Sequence, residues 1–196
     1  MSDDNLSKQI GFLVEIDKLK TVFRRTYVLG TDRHENDAEH SWHLALMALV
    51  LCEYANKEVD VSHVLKMVLL HDIVEIYAGD TFCYDIEGNE GKAEREKQAA
   101  QKLYSLLPAV QKNDFIVIWE EFEKGETTES RFAQSLDRLM PLLHNYYSEG
   151  RAWREHGITR QQVLQRNAHI ADGSWELWKF AQELINDSVE KGYLLP

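Results

Sequence analysis

Residues 61–81, from Val61 to Thr81, read VSHVLKMVLLHDIVEIYAGDT. Nearly every position is apolar, as in a helix that runs through a core, yet the stretch also holds His71, Asp72 and Glu75. At helical spacing Glu75 lies one turn beyond His71 and Asp72 and continues the stripe of Val64 and Val68. Burying ionisable groups without partners is costly, so this face calls for a cation or for charges from other helices. A bound divalent metal ion is the leading reading. Gly79 ends the helix, so Asp80 and Thr81 fall just beyond it, near the same face. Their residue types alone suit a turn or cap.

Upstream, AEHSWHLALMALVLCEYA from Ala38 to Ala55 reads as a second, mostly apolar helix, with Asn36 or Asp37 as its cap. It carries His40 in its first turn and His43 three residues later, and spacing does not choose between them as a ligand. Leu6 to Arg25 reads as a first amphipathic helix with Ile10, Leu13, Val14, Leu19 and Phe23 on its apolar stripe. Arg24, Arg25 and Arg33 end or follow it. Such a cluster is either a solvated edge or a phosphate clamp, because guanidinium matches phosphate geometry.

Downstream, Phe82 to Gly91 is an irregular loop, either a surface connection or a segment over a pocket. Lys92 to Leu107 is a charged helix stopped by Pro108, and Asn113 to Lys124 is another, closed by Gly125. Thr127 or Thr128 opens a long helix to about Tyr147, which Pro141 kinks or divides. There Phe132, Leu136, Leu139 and Leu143 form the apolar stripe. Asp137 sits on the neighbouring stripe with Ala133, Met140 and His144 and needs a charged partner of its own. A short helix near Arg160 to Ala168 and an aromatic one from Ser174 to Glu190 finish the chain. No strand pattern stands out, so the expectation is an all-α helical bundle forming a single domain.

Bulk properties exclude several classes. The 196 residues, 44% of them hydrophobic, suffice for one sizeable core. A net charge of -11 with no run of Lys and Arg argues against binding a nucleic acid polymer. Cys52 and Cys83 lack a CxxC spacing and read as reduced thiols. The acidic start, MSDDNLSKQ, is unlike a secretory or transit peptide, and no apolar run approaches the roughly 20 residues that span a bilayer. The expectation is a soluble, cytoplasmic protein with no membrane partner.

A histidine at the start of one helix, an adjacent His and Asp on the next, and a distant Asp on a later one make the pattern H...HD...D, carried by His40, His71, Asp72 and Asp137. With the flanks RHENDAEHSWH, LLHDIVEIYAGD, WEEFE and QSLDRL, this resembles the HD-domain superfamily of metal-dependent phosphohydrolases. Within it the match looks like the branch of the 5'-deoxynucleotidases and HD domain-containing protein 2. The likeness runs over about residues 10–147 of a single HD domain, 1–196, with 148–196 as a helical extension. It implies that His40 rather than His43 is a ligand, that His71, Asp72 and Asp137 complete the set, and that Glu75 is the catalytic glutamate. It implies Arg25 first and Arg33 second as phosphate-binding residues, Asp80 near the sugar 3'-hydroxyl, and Thr81 beside it.

Two imidazoles and two carboxylates suit one first-row or similar divalent ion, whether Mn, Co, Mg, Fe or Zn, and leave positions for water and a phosphate oxygen. The function implied is hydrolysis of deoxyribonucleoside or ribonucleoside 5'-monophosphates to nucleoside and phosphate. Thr26 stands where the bacterial nucleotidases resembled have tryptophan, which leaves ribonucleotides open as substrates. The rival readings are another phosphohydrolase on the same site, such as a phosphodiesterase or a nucleoside triphosphate hydrolase, and a non-catalytic helical interaction protein with a structural metal. A longer phosphate chain would need more cations than the sequence visibly offers. The family's habit and the aromatic last helix imply a homodimer.

Overall fold

The stretch read above as one helix is three pieces in the computed structural model, which describes residues 2–196. An α-helix closes with the His71 N–H donating to the Met67 carbonyl, Asp72–Val74 form a 3-10 turn, and Glu75–Ala78 return to α-helix. A 3-10 turn has three residues per turn, so positions i and i+3 eclipse. Asp72 and Glu75 are therefore stacked one above the other. Gly79 ends the segment at φ 77°, a backbone conformation that residues with a side chain rarely adopt, and the chain turns back at Asp80.

In chain order the helices are α1 (Ser2–Glu15), α2 (Asp37–Leu51), α3 (Val61–Leu70), α4 (Glu75–Ala78), α5 (Ile86–Asn89), α6 (Lys92–Tyr104), α7 (Ala109–Lys124), α8 (Thr128–Tyr147), α9 (Arg151–His156), α10 (Arg160–Asn167), α11 (Ile170–Gly173) and α12 (Trp175–Glu190). Asn36 caps α2 reciprocally with Glu39, and Thr127 caps α8 with Ser130. Pro141 does not divide α8. Its missing N–H instead deprives the Asp137 carbonyl of a helical partner.

The first helix stops at Glu15, well short of Arg25. A 3-10 segment, Ile16–Thr21, leads into a two-stranded antiparallel hairpin, β1 (Phe23–Tyr27) and β2 (His34–Asn36), with Phe23 opposite Asn36 and Tyr27 opposite His34. This corrects the expectation of an uninterrupted helix and of no strand. Val22, Phe23, Thr26 and Tyr27 are β-branched or aromatic and suit a pleated surface. Of the expected stripe only Leu19, in the 3-10 segment, is buried, while Ile10, Leu13, Val14 and Phe23 are exposed and α1 instead turns Phe12 inward.

Two cores meet at the middle of the chain. One gathers α2, α3, α8 and the C-terminal helices around Leu44, Met67, Phe132, Leu136, Ile170 and Ile185. The other joins α1, α4, α6 and α7 through Phe12, Val74, Leu103, Tyr104 and Trp119. α6, read as a charged surface helix, buries Ala99, Ala100, Leu103 and Tyr104 on its inner face. α12 turns Leu177, Trp178, Ala181 and Ile185 inward, leaving Trp175 and Phe180 outside. Among the described residues, no helix is long and apolar enough to cross a membrane.

Candidate metal centre and active-site cavity

The capping box that starts α2 fixes its first turn, and with it His40, which is completely buried. Its Nε2 lies 3.0 Å from Asp137 Oδ1, on α8, and 3.7 Å from Asp72 Oδ2. Across from it His71 Nε2 lies 3.0 Å from Asp72 Oδ2 and 3.7 Å from Asp137 Oδ1. Four side chains from three separate helical segments thus converge, with nitrogen–oxygen distances of 3.0 and 3.7 Å. The His71 ring donates from Nδ1 to the Val68 carbonyl at 3.0 Å, and its buried Nε2 has no hydrogen-bond partner. That tautomer leaves a lone pair aimed at the two carboxylates, the arrangement of a metal-binding imidazole. The donor set and the orphaned Nε2 fit a divalent ion.

Electrostatics bind this cluster tightly. Burial disfavours a charged His71, but the nearby carboxylates of Asp72 and Asp137 outweigh it and push its pKa up to about 10. Burial would raise Asp72 and Asp137 as well. His71 and Arg24 hold Asp72 far below the usual carboxylate range, and hydrogen bonds from His40 and His71 do the same for Asp137.

Glu75, stacked beside Asp72 by the 3-10 turn, is buried, and its Oε2 has no hydrogen-bond partner among the described residues. Burial first, then the nearby Asp72 and Asp37, push its pKa well above the ordinary value. Carboxylate oxygens of Asp37, Asp72 and Glu75 all lie within 4.8 Å of one another. Asp37, wholly buried at the start of α2, is raised to about 6 by burial and by Asp72.

The counter-charge is Arg24, which sequence reasoning placed in a cluster without singling it out. Its Nη1 donates to Asp72 Oδ2 at 2.8 Å and to Asp37 Oδ1 at 3.2 Å. Side chains alternate along a strand, so the hairpin turns Arg24 and Thr26 inward and leaves Arg25 exposed on the cavity rim. Only recognition of β1 as a strand would have separated the two arginines. Behind the cluster, buried Glu35 accepts a hydrogen bond from Thr26 Oγ1 at 3.3 Å. Its Oε2 lies 3.7 Å from His40 Nδ1 and 3.6 Å from His144 Nδ1. It is a carboxylate placed to orient His40, and no local pattern marks it out. His43 lies beside this inner group, next to Glu35 and His144, rather than with His71 and Asp72.

Asp72, Glu75 and Asp137 face a cavity that is partly open to solvent. Arg25, Asp80 and Thr81 line it, as does Lys92, whose Nζ is 3.2 Å from Glu96. Phe82, Cys83 and Tyr84 of the loop after Gly79 form a further wall. Arg33 is not brought to the cavity. It makes a two-pronged ion pair with Glu39, at 2.8 and 2.9 Å, and so braces the cap of α2.

A family model described as HD domain matches residues 16–178, a span that contains every one of these groups. The chain is 30% identical over 145 residues to 5'-deoxynucleotidase HDDC2 of Bos taurus, covering 73% of this chain and 69% of that protein. The human protein of the same name is 29% identical over 68% of this chain and 65% of its own length. Among solved structures, that of a predicted metal-dependent phosphohydrolase from Magnetospirillum magnetotacticum MS-1 is 47% identical with a TM-score of 0.95, covering 100% of this chain and 98% of that one.

Proposed function

Because the chain belongs to the HD domain family of metal-dependent phosphohydrolases, we propose that it is a 5'-nucleotidase. It would hydrolyse deoxyribonucleoside or ribonucleoside 5'-monophosphates to nucleoside and inorganic phosphate. The observation that carries this reading is the convergence of buried His40 and His71 on Asp72 and Asp137, two carboxylates that line a cavity together with Glu75 and Arg25. The curated relatives named 5'-deoxynucleotidase support the substrate class.

In this reading His40, His71, Asp72 and Asp137 hold one divalent ion. When bound, that ion polarises the phosphoryl oxygen and makes water a better nucleophile. Water's oxygen bonds to phosphorus as the water gives up one proton, the bond from phosphorus to the 5'-oxygen breaks, and the leaving oxygen takes one proton. Glu75, whose pKa burial and its acidic neighbours push well above the ordinary value, is placed to give a proton to the leaving oxygen and to take the one that water releases. Arg25, together with Arg24 once it is released from Asp72, offsets the charge growing on the phosphoryl oxygens. Asp80 accepts a hydrogen bond from the sugar 3'-hydroxyl, with Thr81 beside it. Thr26 is buried and tied to Glu35, so the sugar meets no aromatic wall at that position.

The proposal takes residues 1–196 as a single HD domain acting in the cytoplasm as a homodimer. It is tested by metal analysis and turnover of two variants. Asp72→Ala is expected to lose both bound metal and activity. Glu75→Gln is expected to keep the metal and lose about 10²–10⁴-fold in turnover, the usual worth of a positioned proton donor. Full activity of Asp72→Ala would overturn the ligand set, and loss of metal from Glu75→Gln would make Glu75 a ligand instead.

A further inference from the structure

The cavity has a second basic region that the metal cluster does not account for. Arg138 follows Asp137 on α8, and successive helical residues point about 100° apart. Asp137 therefore turns to the histidines while Arg138 lines the cavity beside the loop of Cys83 and Tyr84. Arg166, from α10, lines the same wall, and its Nε is buried without a hydrogen-bond partner. Among the described residues neither guanidinium has a carboxylate oxygen within 4.0 Å, whereas Arg24, Arg33, Arg151 and Lys92 all do. The two arginines repel one another. The nearest acid to Arg138 is Asp137, which is turned to the histidines rather than paired with it, and burial pushes the Cys83 thiol and the Tyr84 phenol up.

Two half-buried cations that form no ion pair of their own are costly, and a bound anion offsets that cost. Guanidinium offers paired donors for phosphate or carboxylate. We infer that Arg138 and Arg166 form a second anion subsite, which holds an anionic group of the substrate other than the phosphate being cleaved. The preferred substrate is then a nucleotide with a second phosphate, either on the 3'-oxygen or in a 5'-linked chain. This rests on the nucleotidase reading for the nucleotide but not for the subsite itself.

The test is calorimetric binding to the full chain stripped of metal, so that no turnover intervenes. The probes are inorganic phosphate and deoxyadenosine 5'-monophosphate, 5'-diphosphate and 3',5'-bisphosphate, against wild type, Arg166→Gln, Arg138→Gln and the charge-preserving Arg166→Lys. Wild type is expected to bind inorganic phosphate and to prefer one of the doubly phosphorylated nucleotides over the monophosphate by about tenfold or more, the worth of one charge-assisted hydrogen bond. The 3',5'-bisphosphate and the diphosphate distinguish the two sources of the second group. Either glutamine variant is expected to bring the preference to within about twofold of unity and to weaken phosphate binding, with Arg166→Lys retaining part of both. Equal affinities for mono- and doubly phosphorylated nucleotides in wild type overturn the inference. So does phosphate binding that is absent or that Arg166→Gln leaves unchanged. Failure of the nucleotidase reading shows differently, as no phosphate release with any metal while Arg166-dependent binding of inorganic phosphate persists.

Discussion

At His71 two demands meet. A metal ligand must offer a bare nitrogen, yet without an ion the same nitrogen faces Asp72 and Asp137, which hold a proton on it up to about pH 10. The pKa is raised, so this proton's stabilisation of the metal-free fold is complete below the ordinary value of 6.5 and is lost as pH climbs through about 10. Metal must displace it throughout that range. Binding at pH 7 is expected to release about one proton, and affinity to rise with pH up to about 10. Titration calorimetry in buffers of different ionisation enthalpy measures this directly, and a pH-independent affinity with no proton release would contradict it. The convergence of these four residues was legible at this scale through the H...HD...D pattern and its flanks, because spacing alone did not choose His40 over His43. Arg24, Glu35 and Asp37 were not, because each acts through a contact between segments that no local pattern encodes. Arg33, chosen from its position in a family motif, spends its charge on Glu39.

The element that shapes the site is the broken helix from Val61 to Ala78. Apolar periodicity marks it as buried but does not register a change of pitch, since a three-residue 3-10 turn shifts the phase by only about 20° per residue. That small shift aligns Glu75 with Asp72. The hairpin was hidden for a different reason: five and three residues, two of them arginine, are too few to display alternation. Gly79 is the visible punctuation. A Cβ there would meet no atom within 4 Å, so the need for glycine lies in its positive φ alone. Gly79→Ala is expected to cost roughly 1–3 kcal/mol and to lower turnover by displacing Asp80. Denaturant unfolding checks the first part. Wild-type stability in this variant would mean the turn relaxes freely.

Across the whole molecule, the C-terminal helices close the cavity as well as the core. Trp153 and Asn167 line its wall, while Trp178 and Ile185 pack beneath α8 in the main core. Outside, Leu6, Ile10, Leu13 and Val14 on α1 and Trp42, Leu46, Leu49 and Val50 on α2 are exposed, each set at the i, i+4, i+7, i+8 spacing of one helix face. The homodimer in the proposal is therefore expected to bury these faces rather than the aromatic last helix from which self-association was first read. Trp42, 62% exposed, is its natural probe. Trp42→Glu is expected to convert a sedimenting dimer to monomer with an unchanged circular dichroism spectrum, and a variant still dimeric would move the interface elsewhere. The central claim, metal-dependent cleavage of nucleotides at the 5'-position, is tested most directly by one assay. Phosphate release is followed from deoxyribonucleoside and ribonucleoside 5'-monophosphates, with 3'-monophosphates as controls, after chelation and re-addition of Mn, Co, Mg, Zn or Fe(II). The account predicts release that requires added metal and is confined to the 5'-esters. No release with any metal that the protein demonstrably binds would contradict it.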